Sequence, residues 1–149
     1  MSSAFGDYLE HNVLRQTLCK TDSANMVATA VWISLHIGSL TDTGGGGGSG
    51  GSGNEVYVSG AYGRVSYEGS SNWTLTTSGT IVAKNTNAIS FTANSSGSAY
   101  IVTDVGVWRH SSNVTSSDLI FHGTLSASTT VNLNDTFQFA ASALTITIS

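Results

Sequence analysis

A chain of 149 residues with 40% hydrophobic positions can bury one sizeable core and is too short for two ordinary domains. Charged residues make up only 9%, against roughly a quarter in an average domain, while serine and threonine fill 43 positions; this excludes disorder and points to an all-β protein with hydroxyl-rich outer faces. The net charge of −4 rests on few basic residues (Arg15, Lys20, Arg64, Lys84 and Arg109), so no basic stripe exists for counterion release and no nucleic-acid partner is expected.

The opening "MSSAFGDYLEHN" has no basic region followed by an apolar run, and no stretch approaches the roughly 18 apolar residues of a membrane span. No signal peptide and no membrane contact are therefore expected, and the protein is read as soluble and made in the cytoplasm. Residues 3 to 20 are predicted to form one short N-terminal α-helix. Phe5, Leu9, Val13, Leu14 and Leu18 recur at spacings of three to four, after Ser2 or Ser3 as N-cap. Asp7 and Glu10 near the start and Arg15 and Lys20 near the end complement the helix dipole. The stripe of Phe5, Leu9 and Val13 either caps its own domain or docks on a neighbouring subunit. Cys19 is alone and builds neither a disulfide nor a thiolate zinc site within one chain.

After "TDSAN" the period changes to two. Val27, Thr29, Val31, Ile33, Leu35 and Ile37 share one face of a long strand, and Ala28, Ala30, Trp32, Ser34 and His36 the other. A glycine-rich loop follows, with eight glycines in residues 44–53 and an end-to-end span of about 18 Å. Neither flank is large enough to fold alone, so the loop is placed inside one domain covering residues 1–149. A phosphate cradle needs a lysine and a following helix, and neither is there. "EVYVSGAYGRVSYE" is again strand-like. Short strands then recur about every ten residues: "NWTLTT", "TIVAK", "AISFTA", "YIVTDVGVW", "DLIFHGTL", "TTVNL", "TFQFA" and "ALTITIS". This rhythm predicts a mainly β fold, an antiparallel β-sandwich or jelly roll.

Catalytic patterns are weak. Serines abound, but no G-x-S-x-G elbow joins a strand to a helix. His36 and His122 alternate with apolar residues and are placed on the solvent side of the sheet. His11 lies on the helix, and His110 is expected in a surface ion pair with Asp118. No two histidines stand at ligand spacing, so neither a metal nor a cofactor is expected. Asp104 lies mid-strand on the face assigned to Tyr100, Val102, Gly106 and Trp108, and is read as facing water or pairing with a neighbouring subunit rather than as an acid catalyst. Tyr57, Tyr67, Trp73 and Trp108 are candidate sugar platforms, although aromatics at strand ends are more often packing residues. The expectation is a protein that is not an enzyme.

Several segments taken in order, "MSSAFGDYLEHNVL", "ATAVWISLHIG", the glycine run, "EVYVSGAYGRVSY", "NW" at Asn72 and Trp73, "NAISFTA", "DVGVW", "DLIFHGTL" and "TVNLNDTFQFAASALTITI", resemble a family of small tailed-bacteriophage virion proteins. The likeness is collinear over nearly the whole chain. Relatives are commonly labelled tail fibre proteins, and similar small β-rich phage proteins serve as capsid cement or decoration. The chain departs from that pattern in having no proline and a longer glycine run. The resemblance implies a structural place in the virion. These 149 residues hold no heptads, collagen triplets or repeated β units to form a shaft. A cement protein binding between capsid subunits is therefore expected, with a tail fibre or tail-tip component in host recognition as the alternative. Expected partners are the major capsid protein or other virion proteins, and further copies in a homo-oligomer. Phe5, Leu9, Val13, Tyr57, Tyr62 and Trp73 are the candidate interface residues.

Overall fold

The computed structural model describes residues 3–5, 30–41, 54–56, 62–75, 81–95, 98–111 and 118–148, those at 3–5, 81 and 148 through their backbone alone. Among these the chain is mainly β and contains no α-helix. The strands are β1 (Ser3–Phe5), β2 (Trp32–His36), β3 (Val65–Ser66), β4 (Trp73–Leu75), β5 (Ile81–Asn85), β6 (Ile89–Ser90), β7 (Tyr100–Trp108), β8 (Leu119–Val131), β9 (Gln138–Phe139) and β10 (Thr145–Ile148). They form a five-stranded sheet of order β1-β8-β7-β2-β3, a three-stranded sheet β10-β5-β4, and a pair β6-β9. Every pairing is antiparallel.

One core joins all three sheets. Ile33 and Leu35 of β2 and Val105 and Val107 of β7 meet Ile146 of β10, and Ile89 of β6 meets Phe139 of β9 in the same cluster. Phe91, Phe137 and Phe139 pack edge to face, with ring centroids 5.0 to 6.4 Å apart, the geometry that aromatic quadrupoles prefer. Strand alternation explains most of this: within β2 the apolar residues Ile33 and Leu35 point inward on a period of two.

The N-terminus departs from expectation. Residues 3–5, expected to begin a helix, instead run as β1 along the edge of β8, Ser3 opposite Gly123 and Phe5 opposite Phe121. A strand edge with unpaired backbone groups outweighs a local 3.6-residue pattern, because pairing satisfies donors and acceptors on both chains. The rest of the expected helix, with Leu9 and Val13, lies outside the described residues, as does the glycine-rich loop 44–53. The flanks of that loop are bonded: Ile37 N–H donates to Asn54 O at 2.9 Å, Val56 N–H to Leu35 O at 2.9 Å, and His36 bridges Glu55.

Two irregularities shape β7 and β8. Val102, Val105 and Val107 all join the main core, so the inward phase shifts by one residue between Val102 and Val105. There the register passes from Val102↔Thr129 to Asp104↔Thr124, leaving residues 125–128 of β8 opposite Thr103 alone. The two strands expected at "DLIFHGTL" and "TTVNL" are thus one long strand with a four-residue excursion, a large form of β-bulge.

Asn85, fully buried at the end of β5, ties two turns together. Its Nδ2 donates to Asn87 O at 2.8 Å and to Ala140 O at 2.7 Å, while its Oδ1 accepts from Leu144 N–H at 2.8 Å. Asparagine suits this place because one planar amide offers donors and an acceptor at once. The neighbouring turn is closed by Ala143 N–H to Ala140 O, with Ser142 at a φ of 64°.

Candidate functional site

The antiparallel register places three rows of residues across the five-stranded sheet, on the side away from the main core. Trp32, Trp108 and Leu119 form one row, Ser34, Gly106 and His122 the next, and His36, Asp104 and Thr124 the third. Sequence alternation groups β2 correctly, yet the side itself is closed: Ser34 and His36 are fully buried and Trp108 nearly so. His36 therefore does not face solvent as expected, and His122 is half-buried. A second apolar cluster of Leu40, Trp108 and Leu119, with Trp32 against it, covers part of this side, so alternation here separates two interiors.

Polar groups in this layer are satisfied internally. Ser34 Oγ lies 2.6 Å from His36 Nε2 and accepts a hydrogen bond from Trp108 Nε1 at 2.6 Å. Asp104, 2% exposed, accepts from Thr124 Oγ1 at 2.8 Å. It is buried inside the sheet layer rather than facing water, and the one-residue phase shift at Thr103 separates it from Val102. Serine, histidine and aspartate thus sit on one face, but the serine oxygen is enclosed and already accepts from the indole.

Arg64 closes the layer. Its Nε and Nη2 donate to the two oxygens of Glu55 at 2.9 and 2.8 Å, its Nη1 donates to His110 O at 3.0 Å, and its guanidinium lies 4.1 Å over the Trp108 ring. This planar, bidentate and stacked arrangement is one that lysine cannot reproduce. Tyr62 OH accepts from Leu35 N–H at 2.9 Å and donates to Glu55 Oε1 at 3.2 Å. Burial, then the adjacent Glu55 carboxylate, hold the Tyr62 phenol well above its ordinary value. His110 Nε2 stands 3.5 Å from Asp118 Oδ1, so the two are neighbours as expected, but Asp118 is buried rather than at the surface.

The candidate interface residues do not form one patch among the described residues. Tyr62 is committed to the internal network just described and stacks on Phe91. Trp73 is half-buried, with Nε1 donating to Tyr67 O at 2.9 Å and its ring edge-on to Tyr67. Phe5 lies in β1, and Leu9, Val13 and Tyr57 fall outside the described residues. Of the possible sugar platforms, Tyr67 and Trp108 are buried and present no open ring face.

A different surface emerges beside the excursion of β8. An open groove of about 560 Å³ runs between residues 125–131 and residues 135–139, lined by Ser126, Thr129, Thr130, Thr136, Gln138 and Thr145 among others. No feature of the sequence singles these positions out, because hydroxyl residues are spread along the whole chain. The fold brings them together from β8, β9 and β10 and the turn before β9. Among the described residues no group of three or more histidine, cysteine, aspartate or glutamate side chains is placed to hold a metal ion.

The comparisons agree with the order of segments in the sequence. No curated protein matches the chain. The family described as Podophage GP4 fiber I protein gp80 matches residues 4–147. With nearly its whole length matched, the chain belongs to that family and is a phage virion structural protein.

Proposed function

We propose that the protein is a peripheral structural subunit of the phage particle, built into its tail fibre apparatus. The observation that supports this reading is the family match over residues 4–147, to a family described as a fibre protein. The fold fits a part that works by docking rather than by turnover. Its serine–histidine pair is enclosed, and the Asp104 carboxylate is bonded within the sheet layer. The packing of one core against three antiparallel sheets suits a sandwich-like building block. Partners in this reading are other tail proteins and further copies of the chain, with Phe5, Leu9, Val13, Tyr57 and Trp73 as contact residues.

A second reading, capsid cement, is favoured by the lack of shaft repeats in these 149 residues. A cement protein binds the assembled shell, including the major capsid protein, and shifts the equilibrium towards the intact state. Immunogold labelling of intact virions separates the two. Gold confined to the tail is expected, and gold spread over the head would replace the fibre reading with cement. Particles lacking the protein give a second measure. A fibre role leaves DNA retention on heating unchanged and impairs adsorption, whereas a cement role does the reverse.

A further inference from the structure

We infer that the groove beside β8 is a binding site for a neutral, polyhydroxylated ligand, a short oligosaccharide. One wall of the groove is formed by residues 125–131 of β8, where 125–128 stand opposite Thr103 alone before pairing resumes at Thr129. The floor is rigid, since Phe137 and Phe139 are both buried and locked against Phe91. A volume of about 560 Å³ falls within the usual range for small-ligand sites, roughly 300 to 1,000 Å³.

The chemistry of the lining selects the ligand class. The side-chain hydroxyls of Ser126, Thr129, Thr130, Thr136 and Thr145 make no hydrogen bond to the described residues. Each can donate and accept, which matches the dual character of sugar hydroxyls. Two further groups are held in place with an oxygen to spare. Asp135 Oδ2 accepts from Asn132 N–H at 3.0 Å and Asn132 Nδ2 at 2.9 Å, leaving Oδ1 for a ligand. Gln138 Nε2 donates to Ser90 Oγ at 2.6 Å, leaving Oε1. Groups already fixed by the protein lose little freedom on binding. Threonine methyls with Leu125 and Ala127 offer apolar contact for the C–H faces of a sugar ring.

Charge excludes the other classes. Among the described residues no lysine, arginine or histidine lines the groove and the one charged group is Asp135, a lining that repels phosphates, nucleic acids and acidic polysaccharides. The buried phenylalanines leave no apolar trough for a lipid chain. The site is a property of the folded chain, independent of where the protein sits on the virion.

Saturation-transfer NMR on the full chain tests this with chitotriose, maltotriose and mannotriose, alongside trigalacturonate and a serine- and threonine-rich heptapeptide. At least one neutral trisaccharide is expected to receive saturation. The double variant T130A/T136A, which removes two exposed hydroxyls without protein partners, should weaken its binding roughly tenfold or more with unchanged circular dichroism. The remote variant T74A should bind like the parent. The inference is overturned if none of the three neutral sugars binds, if the double variant binds as tightly as the parent, or if only the trigalacturonate or the peptide binds.

Discussion

Ser34 Oγ and His36 Nε2 stand 2.6 Å apart on one face of β2, and neither side chain reaches solvent. In an open cleft such a pair would suggest an activated nucleophile. Here the serine oxygen also accepts from Trp108 Nε1, and the indole is in turn covered by Arg64. The pair acts as a polar weld between β2 and β7, and its geometry depends on the absence of a side chain at Gly106.

A β-carbon at Gly106 would lie 2.5 Å from Trp108 Nε1 and 2.7 Å from Ser34 Oγ. Gly106→Ala is therefore expected to destabilise the protein by about 1–3 kcal/mol through overpacking. The urea midpoint measures this. A midpoint equal to that of the parent would show that the indole and the hydroxyl move aside without loss.

Asn85→Ala leaves the Leu144 N–H without its acceptor and takes one donor each from the Asn87 and Ala140 carbonyls, which keep Tyr67 OH and Ala143 N–H. The expected loss is about 2–4 kcal/mol, as for other buried polar groups stripped of a partner. Asn85→Asp should not rescue it, since a carboxylate cannot donate to the two carbonyls. Thermal melting of both variants checks the claim, and a parent-like melting temperature for Asn85→Asp would refute it.

Alkaline stability should reflect Tyr62. Its phenol is held above the ordinary value of about 10, so above that pH the unfolded chain releases a proton that the folded chain still keeps. Unfolding is then favoured, and stability falls as pH rises above about 10. Tyr62→Phe should flatten this fall while lowering stability at neutral pH, because Leu35 N–H loses its acceptor. Urea titrations at pH 7 and at pH values above 10 read both effects. Equal slopes in parent and variant would exclude Tyr62 as the source.

Deleting residues 45–52 should leave the fold in place and change stability by no more than about 1 kcal/mol, since closure entropy varies slowly with loop length. The contacts of Ile37 with Asn54 and of Leu35 with Val56 hold the flanks together without the loop. Loss of the β-sheet circular dichroism signal on deletion would assign the run a structural role.

Much of the sheet framework can be read from alternation alone. "YIVTDVGVW", "TIVAK" and "ALTITIS" each become a strand, β7, β5 and β10, at the expected place. Alternation states which residues share a face, however, and not whether water meets that face. His36 shares its side with Ser34 as expected, yet that side is an interior. The placing of Val102 and Asp104 on one face fails for a related reason, because a strand of period two carries no mark of the residue at which its ladder slips. "SAF" at residues 3–5 is too short to declare a strand, and only the waiting edge of β8 makes it one. The groove was least visible of all, since threonine on a wall and threonine on an ordinary outer face look alike in one dimension.

The excursion of β8 also separates what holds the protein together from what it shows to the outside. Registers on either side, at residues 119–124 and 129–131, are fixed by different stretches of β7. Length or composition can therefore change at residues 126–128 without disturbing the pairing that flanks them. The segment behaves as a mounting point on a finished frame. A peptide epitope grafted at residues 126–128 would be displayed beside the groove, and sequence drift at these three exposed positions alters the presented surface while Leu125 keeps its packing against the core.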